Sequence, residues 1–129
     1  KLALDLYAAV GARLAGDGRR ARKQLLSTLA SAQRIGIPHR EAEALVQLAI
    51  IDADDAERAR KLLVRAAEIC VNHGLMDGAF HAYLQLTEVA ESQEQRLYFF
   101  KKCQRLYPHV ASNLPSVRAF ERLRAKEIQ

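Results

Sequence analysis

The side chains of this 129-residue chain best equipped for chemistry are four histidines (His39, His73, His81, His109), two cysteines (Cys70, Cys103) and scattered carboxylates. Cys70, His73, Asp77 and His81 bring metal-ligating types together over a short stretch. A metal needs three or four such ligands converging, and this spacing matches no strong template. His73 reads better as a residue at a helix C-terminus, where its cationic form suits the helix dipole. The serines Ser27, Ser31, Ser92, Ser112 and Ser116 stand in no nucleophile-elbow context. Gly16-Asp17-Gly18 reads as a turn between helices and not as a phosphate loop. The acidic pairs Glu41/Glu43 and Asp54/Asp55 read as helix N-terminal charge. No catalytic, cofactor-binding or metal residue is assigned, no cofactor is expected, and an enzyme is not expected.

The elements that would carry these groups are helices. Ala, Leu, Arg, Glu and Gln dominate, with only three prolines and six glycines, a composition that favours helix almost throughout. Ala59, Leu62, Leu63, Ala66, Ile69 and Cys70 share one face at three- and four-residue spacing, and Ala42, Leu45, Leu48 and Ala49 do the same before them. The polar break Asp52–Asp55 offers an N-cap, Gly36 and Gly74 suit left-handed helix ends, and Pro38 marks a restart. Seven helices follow, at about 2–15, 19–35, 39–52, 56–73, 76–90, 94–107 and 115–128. The apolar stretch 2–14 contains Asp5 and Arg13, so it reads as neither a membrane span nor a convincing signal sequence. Lys1 at the start suggests a segment of a longer protein.

A shift of 38 residues superimposes the chain on itself. Ala21-Arg22-Lys23 falls on Ala59-Arg60-Lys61, Leu25 on Leu63, Gly36 on Gly74, Ala44 on Ala82 and Gln47-Leu48 on Gln85-Leu86. The units are about 1–35, 36–73 and 74–107, followed by a linker and capping helix over 108–129. In that last helix Val117, Phe120 and Leu123 form an apolar stripe, and Arg118, Arg122, Arg124 and Lys126 fall elsewhere. Such a helix can cover the open flank of a stack. Seven of the eight aromatics lie at Phe80 or beyond, which suits a bulky junction beneath it.

The pattern resembles the tetratricopeptide repeat, with large, Leu-small, then small-large-small positions across a helix pair. These are Tyr7, Val10-Gly11, Ala21, Leu25 and Thr28 in the first unit; Leu45, Leu48-Ala49, Ala59, Leu63 and Ala66 in the second; and Tyr83, Leu86-Thr87, Leu97, Phe100 and Cys103 in the third. The 38-residue period exceeds the roughly 34 typical of the family. The resemblance implies an all-α, right-handed solenoid of three antiparallel helix pairs plus a C-terminal cap. It also implies a protein-binding scaffold of regulatory or assembly type, with a concave groove lined by first helices. Carried over, the groove positions are Asp5, Ala8 and Ala12, then Glu43, Val46 and Ile50, then His81, Leu84 and Glu88. This mixture of apolar and acidic groups lacks the Lys and Asn clamp of chaperone-binding members and suits a peptide or helix with apolar anchors and basic flanks.

Charge is segregated: residues 1–35 carry +5, residues 36–95 carry −6 and residues 96–129 carry +6. That asymmetry keeps two other readings open. The basic clusters could contact nucleic acid, or the basic ends of one copy could meet the acidic centre of another. The two cysteines read as small buried residues, in keeping with a reducing, cytoplasmic setting. No membrane association is expected.

Overall fold

A computed structural model describes residues 18–128, which are all-helical apart from turns and loops. The expected helix at 2–15, its groove residues Asp5, Ala8 and Ala12, the first-unit positions Tyr7 and Val10-Gly11, and the turn residues Gly16 and Asp17 lie outside the described residues. The helices are α1 (Gly18–Ile35), α2 (Pro38–Ile51), α3 (Ala56–Asn72), α4 (Met76–Val89), α5 (Gln93–Leu106) and α6 (Pro115–Ile128), with a 3₁₀ turn at Tyr107–His109. None is long and apolar enough to cross a membrane.

The punctuation residues do what their chemistry dictates. Gly36 and Gly74 take φ of +83° and +68°, a region nearly closed to side chains with a β-carbon. Each lets the next residue reach back: Ile37 N donates to Ala32 O (3.0 Å) and Leu75 N to Cys70 O (2.8 Å), closing both helix ends in the same way. Asp55 caps α3 by accepting from Arg58 N, and Ser92 caps α5 by accepting from Gln95 N. Within α1 to α5 the turns between successive helices are so short that neighbours run antiparallel, and each helix packs chiefly on its neighbours in the chain.

Many residues 38 apart match in burial. Ala21, Leu25, Thr28 and Ala32 of α1 are buried, and so are Ala59, Leu63, Ala66 and Cys70 of α3. Ala44, Val46, Leu48 and Ala49 of α2 are buried, as are Ala82, Leu84, Leu86 and Thr87 of α4. The core runs along this series of contacts between neighbours. Polar clamps recur too. Arg22 of α1 reaches Asp52 at the end of α2, where Arg58 also donates (2.8 Å). Arg60 of α3 donates to Val89 O at the end of α4 (2.9 Å) and lies 3.4 Å from Glu91.

The match breaks in α5. The turn Asp52–Asp55 has one residue more than Ala90–Ser92, so α5 enters one position early. Leu97, expected at a packed position, is instead 40 % exposed. Arg96 points toward α6 and bonds Glu127. Phe99, Phe100 and Cys103 take the buried face.

Across α4 and α5 lies α6, whose Val117 and Phe120 are buried against Phe80, Leu84, Phe100 and Cys103. Phe120 stacks on Phe100 (centroids 5.4 Å apart) and meets Phe80 edge-on (5.3 Å). Arg124, expected on the solvated side, lies over the Tyr107 ring at 4.9 Å, where the ring face attracts its charge.

Candidate functional site

Between the first halves of α2 and α4 lies an open cleft of about 750 Å³. Its apolar surface comes from Ala42 and Val46 of α2, Cys70 of α3, and Leu75, Met76 and Gly78 at the entry to α4. Its polar groups are His39, Arg40, Glu43 and Gln47 on one side, Asp77 and His81 on the other, and His109 from the 3₁₀ turn.

Helical spacing explains the convergence. His39, Glu43 and Val46 recur along one side of α2, as do Asp77 and His81 along α4. The cleft reaches Cys70 on α3 because Gly78 opposite it has no side chain. A β-carbon there would stand 2.7 Å from Cys70 Sγ. Asp77 accepts from Ala111 N (3.2 Å), which ties the segment after His109 to the start of α4. Arg40 lies 3.4 Å from Glu43.

Of the expected groove residues, Glu43, Val46 and His81 line this cleft together. Ile50 is half-buried and packs against the core, while Glu88 is exposed outside the cleft. Leu84 does not line this cleft and is 2 % exposed. It stands 38 residues after Val46, but α6 covers its side of α4 with Val117 and Phe120. Sequence reasoning missed Arg40, Gln47, Gly78 and His109 as cleft residues. For His109 no local pattern could have helped, since a loop brings it in from beyond the repeated units.

Burial shapes the chemistry. The Cys70 thiol is pushed up to about 11, first by burial and then by the Glu43 charge, and Cys103 to about 12 by burial. Both therefore stay protonated near neutral pH, whereas nucleophiles and metal ligands act as thiolates. Burial lowers His81 below its ordinary value, so its imidazole is neutral at pH 7. Cys70, Asp77 and His81 share the cleft but His73 does not line it. No group of three or more metal-ligating side chains is placed to hold an ion among the described residues.

The arrangement offers an apolar floor with donors and acceptors around it, the usual build of a recognition surface. No protein-family model matches this chain, and no curated protein or solved structure is significantly similar to it.

Proposed function

We propose that this chain is a tetratricopeptide-like helical repeat module, acting in the cytoplasm, that binds a segment of another protein in the cleft between α2 and α4. One observation carries the reading. Glu43, Val46 and His81, which the resemblance placed on the binding side of two successive first helices, line a single cleft of about 750 Å³. The equivalent burial of residues 38 apart supports a stacked-hairpin architecture, of the right-handed solenoid kind, in which such a groove arises naturally. The occupant is a peptide or helix with an apolar anchor that fits over Ala42, Val46 and Leu75 and with basic flanks toward Glu43 and Asp77. Binding, with no catalytic step, also fits the two protonated thiols. A scaffold or regulatory role within a larger protein follows from this reading.

The test compares partner recovery by the wild type, by Glu43→Lys, and by the control Glu88→Lys outside the cleft. The cleft reading requires that partners be lost with Glu43→Lys and kept with the control. Equal recovery by all three removes it.

A further inference from the structure

The C-terminal helix has a second face that the core does not use. Its two acids are both drawn toward neighbouring elements: Glu121 accepts from Tyr107 Oη (2.8 Å) and Glu127 pairs with Arg96 of α5. What remains outward is Arg118, Arg122 and Lys126, every fourth residue and all exposed. They span about 12 Å along one side of the helix. None of the three side chains has an ion pair or hydrogen bond among the described residues. Several basic groups elsewhere are matched by acids, Arg22 and Arg58 by Asp52, Arg65 by Glu41 and Lys61 by Glu57, whereas Arg19, Lys23 and Arg34 of α1 and Lys101 and Arg105 of α5 have no ion pair among the described residues. The α6 face is left uncompensated.

We propose that this face of α6 contacts the phosphate backbone of a nucleic acid. A protein partner would need apolar or aromatic anchors at the centre of its interface. Every large hydrophobic side chain exposed among the described residues lies on α1, α3, α4 or α5, and none on α6. A row of cations without an apolar anchor is suited to backbone charge neutralisation, which is electrostatic and independent of sequence. Arg118 and Arg122 add donor forks that match phosphate oxygens. The contact is separate from the α2/α4 cleft and stands without it.

Fluorescence anisotropy with a short labelled single strand, a duplex of the same sequence and a glutamate-rich peptide, each over a range of salt, tests the proposal. Wild type binds the nucleic acids with a log–log salt slope of about −2 on the single strand and about −3 on the duplex, for three phosphate contacts. Arg118→Gln, Arg122→Gln and Lys126→Gln together weaken binding by about tenfold or more at low salt and flatten that slope. A charge-matched control, Arg19→Gln, Lys23→Gln and Arg34→Gln on α1, changes it far less. Circular dichroism and thermal melts verify that both variants stay folded. If the α6 variant does not fold, covalent crosslinking of the wild type to a photoreactive oligonucleotide, followed by peptide mapping, replaces it and must mark residues 115–127. Absence of binding by wild type, equal loss from both variants, marking elsewhere, or tighter binding of the acidic peptide each overturns the proposal.

Discussion

Cys70 and Gly78 are in contact so close that any β-carbon on Gly78 would stand 2.7 Å from the Cys70 sulfur. This approach sets the spacing of α3 and α4 behind the cleft. Gly78→Ala gains helix propensity of up to about 1 kcal/mol, but overpacking costs about 1–3 kcal/mol. The single variant is therefore expected to be destabilised. In a Cys70→Ala background the same change is expected to be neutral or stabilising. Urea denaturation of the four proteins in this cycle measures the coupling, and additivity within error would show that the two residues do not restrain one another.

The hydroxyl of Thr28 is buried without a hydrogen-bond partner, and alanine stands at the matching position, Ala66. Removing an unsatisfied polar atom offsets the loss of a methyl group. Thr28→Ala should lie between neutral and about 1 kcal/mol more stable. A loss beyond about 1 kcal/mol in chemical denaturation would mean that the hydroxyl is in fact bonded.

Phe120 is fully buried between Phe80, Phe100 and Tyr107, whereas Tyr98 is 56 % exposed. Phe120→Ala should cost about 3–5 kcal/mol, enough to undermine a domain of this size. Tyr98→Ala should shift stability by less than about 1 kcal/mol. Similar losses from both would contradict the place given to α6 as the cover of the core.

Stability should fall on both sides of neutrality, for different reasons. The His81 pKa is lowered in the folded chain, so its contribution is present above about 6.5 and is lost as the pH falls below that value. The two thiols are raised from 9.0 to about 11 and about 12. Their contribution is present below pH 9.0 and is lost as the pH rises toward those values. Thermal melts across pH should show His81→Gln flattening the acid limb and Cys70→Ala with Cys103→Ala flattening the alkaline limb. Unchanged limbs would contradict the assignments.

Helix positions were largely legible in the sequence because few residues interrupt them. Gly36, Gly74, Pro38 and Asp55 mark boundaries within a residue or so of those observed. Three- and four-residue spacing marked the buried face of α3 at Ala59, Leu63, Ala66 and Cys70, and the 38-residue offset carried Ala21 and Leu25 of α1 with it. It failed at Leu97 because one residue fewer in the preceding turn rotates α5 by about 100°. The site was legible only in part. The resemblance implied Glu43, Val46 and His81, which share the cleft, and also Leu84, which does not line it because α6 covers it. Arg40 lies one turn before Glu43 on α2, so its place follows from helical spacing, whereas His109 joins the cleft through tertiary placement, for which local periodicity holds no signal.

The claim that the α2/α4 cleft is where a protein partner docks is tested most directly by site-specific photocrosslinking. A photoreactive residue is placed in turn at Glu43, at Asp77 and, as an exposed control on α3, at Lys61. The expected result is one shared crosslinked species from the two cleft positions and none of it from Lys61. Crosslinks of equal yield from Lys61, or none from either cleft position while the partner still binds, would contradict it.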